Sequence, residues 1–65
     1  MNRIKELLIE QGMNQRDLAK KTGLNEVTIS RYVHNVRTPR FGNAVAMAKV
    51  FGVKYDYLLG YSDER

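Results

Sequence analysis

The stretch GLNEVTISRYVHNVRTPR, from Gly23 to Arg40, places small polar residues and arginines on and just after a short predicted helix. An arginine guanidinium can donate two hydrogen bonds to one guanine, and hydroxyl and methyl groups can contact base edges or phosphates. A helix that only braces a core would more usually carry Glu and Lys on its outer side. The pattern therefore predicts a surface that fits the grooves of DNA.

The chain offers few residues for catalysis or metal binding. It contains no cysteine and a single histidine, His34. These counts rule out a conventional zinc cluster and leave no arrangement for nucleophilic or metal-assisted chemistry. A glycine-rich phosphate-binding loop is also missing. We therefore expect a protein that is not an enzyme, with no cofactor, no bound metal and no small-molecule substrate.

Positive charge is concentrated in the middle of the chain. The formal net charge of the 65 residues is +4. Residues 14–40 contain six basic and two acidic side chains, which leaves +4, whereas residues 55–65 sum to −2. A basic middle and an acidic tail suggest a polyanionic partner that faces one side of the molecule.

The spacing of apolar and capping residues predicts five short helices and no strand. The predicted helices lie within residues 2–12, 15–22, 26–34, 41–51 and 53–59. We expect an all-α, compact five-helix domain over residues 1–60, with residues 61–65 as a flexible tail or the start of a linker. No apolar run is long enough to span a bilayer, so we expect a soluble, cytoplasmic protein with no membrane partner.

Apolar residues at spacings of three and four predict which side of each helix is buried. In the third helix the predicted inner residues are Ile29, Tyr32 and Val33, and the outer residues are Val27, Ser30, Arg31 and His34. In the fourth helix the predicted inner residues are Phe41, Val45, Ala48 and Phe51.

Residues 15–34 have the features of a helix-turn-helix, in which a tight turn sets two helices at a steep angle. Asn14 is a good cap for the first of them, and Asp17 three residues later completes a reciprocal capping pattern. Ala19 is small where the second helix must cross closely. Gly23 can take the positive φ that the turn requires.

The chain resembles the Cro/CI-type helix-turn-helix repressors of the XRE family. The residues that carry the resemblance are NQRDLAKKTGLNEVTISRYV, a loop that ends in TPR, and AMAKVFGVKYDYLL. It covers residues 3–60 and implies a lambda-repressor-like DNA-binding domain of a transcriptional regulator. Four residues depart from the family pattern: Leu8 and Val33 stand where many members pair an Arg with a Glu, Gly42 stands where a helix former is usual, and Lys54 replaces a Ser-type cap.

Residues on the third helix are the candidates for reading bases, since side chains on the N-terminal half of such a helix reach base edges in the major groove. The candidate base-contacting residues are Glu26, Val27, Thr28 and Arg31. Arg31 is the leading candidate, because it can hold guanine O6 and N7 together. Glu26 has three interpretations: it accepts a hydrogen bond from cytosine N4, it repels DNA bound in a wrong register, or it is only a first-turn acid that suits the helix dipole.

Phosphate contacts are expected on both sides of this helix. The candidates are Asn14, Gln15, Asn35, Arg37 and Arg40. Asn14 and Gln15 begin the second helix, whose free amides suit a phosphate oxygen. In the resembled family, the glutamine in the place of Gln15 commonly makes such a contact.

Two functions from different classes fit these features. The first is a sequence-specific repressor of phage or mobile-element type that inserts helix 26–34 into the major groove. Because one unit of this size buries little surface, we expect a homodimer on a pseudo-palindromic operator of double-stranded DNA. The alternative is a non-catalytic interaction module, antitoxin-like or a scaffold, that retains the fold without binding DNA.

Overall fold

Five α-helices and no β-strand make up the chain in a computed structural model that describes all residues, 1–65. The helices are α1 (Ile4–Glu10), α2 (Gln15–Thr22), α3 (Glu26–Val33), α4 (Phe41–Phe51) and α5 (Tyr55–Leu59). The prediction of an all-α five-helix fold is confirmed. His34 lies just beyond α3 as its C-cap, and α5 begins two residues later than predicted.

A single apolar core holds the helices together. Its fourteen buried side chains come from all five helices, and no polar or charged side chain is buried with them. The largest fully buried members are Ile4, Leu7, Leu18, Ile29, Met47 and Leu58. With neither a disulfide nor a metal cluster among its residues, the fold rests on this packing.

The inner side of α4 differs from the predicted one. Phe41 was expected to be buried but is 67% exposed, and its ring packs edge-on against Tyr55 with centroids 5.2 Å apart. The buried residues of α4 are Ala44, Met47, Ala48 and Phe51. The error arose because α4 is apolar around most of its circumference, so that periodicity does not select one side.

Local hydrogen bonds fix both ends of α2. The Asn14 side-chain oxygen accepts from the Asp17 amide at 2.8 Å, and the Asn14 amide donates to the Asp17 carboxylate at 3.0 Å. This is the predicted reciprocal capping. At the other end Gly23 adopts a left-handed conformation with φ 75°, as the turn requires.

The loop after α3 folds back onto the helix end. Asn35 has φ 59°, and its amide donates to the Tyr32 carbonyl at 3.1 Å, while the Val36 amide donates to the Arg31 carbonyl at 2.9 Å. This pair of bonds is a Schellman motif with asparagine in the position usually held by glycine. The Asn2 side chain also donates to the Tyr32 carbonyl at 2.8 Å, which ties the chain start to the same helix end.

The C-terminal residues lie against the start of the chain and α1. Arg3 donates to the Ser62 carbonyl at 2.8 Å and to the Asp63 carboxylate at 2.7 Å. Arg65 donates to Glu10, a hydrogen bond that raises the pKa of Arg65. The flexibility of residues 61–65 in solution stays a prediction.

Replacing Gly42 by alanine should stabilise the protein. Gly42 lies in the first turn of α4 without a positive φ, and apart from adjacent residues and the backbone of its own helix, no atom lies within 4 Å of the position its Cβ would take. Alanine there restricts the unfolded chain and favours the helix, so we expect a gain of about 0.5–1 kcal/mol in the free energy of unfolding.

The matched control for this prediction is Gly23→Ala, which also has open space around the new Cβ but sits at φ +75°. Because left-handed backbone is unfavourable for alanine, this variant should lose about 1–2 kcal/mol. Urea unfolding of both variants measures the difference. Shifts of the same sign would show that φ does not govern these positions.

Candidate nucleic-acid interface

The helix-turn-helix is built by α2 and α3, which pack against each other across Gly23-Leu24-Asn25. Ala19 is buried in the core, and Leu24 packs partly buried against it. The Asn25 side chain caps α3 by accepting from the Val27 amide at 2.7 Å. Small, apolar and capping residues therefore fix how α3 lies across α2.

The outer side of α3 carries the four predicted base-contacting residues. Glu26, Val27 and Arg31 are exposed, with Val27 58% exposed, and Thr28 is half-buried. Ile29, Tyr32 and Val33 of the same helix face the core. The four candidates thus share the solvent side of one rigid helix, although their contacts with bases stay a prediction.

Three arginines surround one concavity beside α3. Its lining residues are Thr28, Arg31, Tyr32, Arg37, Arg40 and Asn43. From the sequence, Arg31 is predicted to contact a base, whereas Arg37 and Arg40 are predicted to contact phosphates. The structure places all three arginines around one concavity, because the Schellman motif turns the loop back toward α3.

Asn43 is a member of this concavity that the sequence did not indicate. Its side chain donates to the Tyr32 hydroxyl at 2.8 Å, which links α4 to α3. Because that oxygen accepts from Asn43, the hydroxyl proton remains free to donate to another acceptor. No local pattern marks the pair, since the two residues are eleven positions apart and on different helices.

A second concavity lies at the other edge of α3. It is lined by Asn14, Gln15, Arg16 and Glu26. The Asn14 side-chain oxygen is committed to capping, so that only its amide nitrogen is left for a phosphate. Arg16 was not among the predicted site residues, but its Nε lies 3.6 Å from the Glu26 carboxylate.

Asn35 lines neither of these two concavities. Its side-chain oxygen accepts from the Asn2 amide nitrogens at 3.3 and 3.5 Å, and it borders a separate depression with Met1 and Thr38. Its contacts shape the loop that carries Arg37. A phosphate contact by Asn35 stays a prediction.

The cations around α3 are mostly free of acidic partners. Arg31, Arg37 and Arg40 form no ion pair within the chain. In contrast, Arg3, Lys54 and Arg65 are paired with acidic side chains away from this surface. These three unpaired arginines give the surface that carries the predicted contacts a positive charge, as binding to phosphates requires.

No helix in the chain combines the length and apolar character that a membrane crossing needs.

Comparison with known families shows that the family model HTH_3, described as helix-turn-helix, matches residues 4–58. Searches of curated proteins and of solved structures returned no match. The chain therefore belongs to the XRE-type helix-turn-helix family of Cro/CI type, and it is a DNA-binding transcription regulator.

Proposed function

We propose that the protein is a sequence-specific repressor of phage or mobile-element type that binds a pseudo-palindromic operator as a homodimer. Helix α3 (Glu26–Val33) enters the major groove. Glu26, Val27, Thr28 and Arg31 face the base edges there. The observation that carries the proposal is one exposed helix side flanked by two polar concavities, one of which holds three unpaired arginines.

Phosphate contacts are proposed at both edges of α3. Arg37 and Arg40 meet one strand, and Asn14 and Gln15 meet the other at the start of α2. The N-terminus of α2 suits a phosphate, because the first backbone amides of the helix and the positive end of its dipole point toward a phosphate bound there. A major groove about 12 Å wide admits a helix with such flanks.

Dimer binding is supported by size. A single module of this kind buries about 600–1,000 Å² on DNA, which is small for a specific complex. The Cα extents of the chain are 26 × 23 × 18 Å. Two copies therefore fit side by side at the spacing of about 34–36 Å between half-sites one helical turn apart.

Selection from a random duplex library tests the proposal. We expect a recovered motif with two inverted half-sites about one helical turn apart, bound by two copies per duplex. Affinity should fall steeply with salt, because each copy brings several unpaired cations to the phosphates. A single unrepeated half-site would contradict the dimer.

The outcome expected for a non-catalytic interaction module, antitoxin-like or scaffold, is different. Selection with such a protein would recover no motif, and the protein would show no salt-dependent binding to any duplex.

A reporter gene placed behind the selected site tests repression. Expression should fall when the protein is present, and a rise would contradict the repressor assignment.

A further inference from the structure

The ion pair between Arg16 and Glu26 is the feature of the DNA-facing surface that the proposed contacts leave unexplained. Nε of Arg16 lies 3.6 Å from a carboxylate oxygen of Glu26, and the two side chains are 72% and 52% exposed. An exposed pair of this kind contributes little to folding. Its position is better explained by what each charge does near DNA.

Glu26 is the only acidic residue of α3, and it stands at the first position of the helix. A carboxylate there is repelled by the phosphates of a bound duplex, and the repulsion grows as water leaves the interface. Arg16 is the cation paired with it. The pair brings no net charge to the groove, so that Glu26 can approach base edges.

An ionised carboxylate only accepts hydrogen bonds. In the major groove guanine and thymine present acceptors at their reading edges, whereas cytosine presents the N4 amino donor. Adenine offers a donor at N6 but also an acceptor at N7, which repels the second carboxylate oxygen. A carboxylate held in a fixed position therefore selects cytosine.

We propose that Arg16 is a positioning residue that holds the Glu26 carboxylate so that it selects cytosine at one position of each half-site. The inference deepens the proposed function and rests on it. The Arg16 guanidinium makes no hydrogen bond within the chain, so it keeps donors for a nearby phosphate. In this proposal one arginine attracts the Glu26 carboxylate and offsets its charge from α2, across the turn.

The test compares base preference at every position of the selected duplex for the wild type, Glu26→Gln, Glu26→Ala and Arg16→Met. The wild type should favour cytosine at one position per half-site by roughly 5- to 150-fold, the range of one good base contact. Glu26→Gln should change that preference to adenine, because glutamine pairs with adenine N6 and N7. Glu26→Ala should abolish it.

Arg16→Met should reduce the cytosine preference to near the Glu26→Ala level and leave the preferences at other positions unchanged. Adding Arg16→Met to Glu26→Ala should cause no further loss of preference at that position. Lys20→Met is the matched control, since it removes an exposed positive charge from the same helix and Lys20 has no ion pair. It should leave every base preference intact.

Several outcomes would overturn the inference. Full cytosine preference in Arg16→Met, with equal weakening on all duplexes, would make Arg16 a phosphate contact only. A wild-type preference for another base would remove the role of Glu26. Failure of the wild type to prefer any duplex would overturn the proposed function as well, and this is measured first. Thermal unfolding of each variant confirms that it is folded.

Discussion

Replacing Ile29 by alanine is expected to lower the free energy of unfolding by about 2–5 kcal/mol. Ile29 is fully buried on the inner side of α3 and is among the largest side chains of the core. Alanine removes three carbons and leaves a cavity that this small fold can fill only partly. A domain of this length is stable by about 3–10 kcal/mol, so the change takes a large share of the total.

Val27→Ala is the matched control for this effect. It truncates an apolar side chain on the same helix, but Val27 is 58% exposed. Its stability should stay within about 0.5 kcal/mol of the wild type. Urea unfolding followed by far-UV circular dichroism measures both variants, and the melting temperature of Ile29→Ala should fall by more than about 10 °C.

The two variants also separate folding from binding. Val27→Ala should fold normally yet bind the selected duplex less well, because the proposed contact with a thymine methyl is lost. Equal stability losses in the two variants would show that the inner and outer sides of α3 are wrongly assigned.

Local patterns were sufficient to predict the helix-turn-helix. The capping of α2 by Asn14 and Asp17, the left-handed Gly23 and the inner side of α3 each depend on residues within one or two turns. Such short-range requirements leave a readable mark in a sequence. They also determine which residues of α3 face solvent.

Contacts between distant parts of the chain could not be predicted in this way. The Tyr32–Asn43 bond joins two helices, and the Asn2–Tyr32 bond spans thirty positions. The tail contacts of Arg3 reach even further along the chain. Each depends on how the helices pack, which periodicity does not specify.

The candidate site likewise combines residues that local patterns predict with residues that only helix packing brings to the surface. Its residues on α3 were predicted because one helix face determines them. Arg16 and Asn43 were missed because they join the surface only through packing of α2 and α4 against α3. The sequence left the role of Glu26 open among a base contact, repulsion of wrong registers and a helix-dipole acid. The ion pair with Arg16 is further evidence on that role.

Arg31→Ala and Arg37→Ala are expected to impair DNA binding in different ways, although both arginines border one concavity. Arg31 extends from α3, the helix proposed to enter the groove, whereas Arg37 belongs to the loop that follows α3. Loss of a bidentate contact with guanine should weaken binding to the selected duplex by roughly 5- to 150-fold. Binding to an unrelated duplex should change much less, so sequence preference is lost at one position.

Arg37→Ala should instead weaken binding to all duplexes by a similar factor and leave the preferred sequence unchanged. The slope of log affinity against log salt should become shallower by about 1 for each copy bound, because one phosphate contact is lost per copy. Fluorescence anisotropy with both duplexes over a range of salt concentrations measures the two effects together.

Arg31→Lys distinguishes the two roles most sharply. Lysine keeps the charge but lacks the planar pair of donors that matches guanine. If Arg31 reads a base, Arg31→Lys should lose most of the preference at that position while the salt slope stays at the wild-type value. If Arg31 only neutralises a phosphate, Arg31→Lys should retain almost all of the wild-type binding. Base contacts would then have to come from Glu26, Val27 and Thr28 alone.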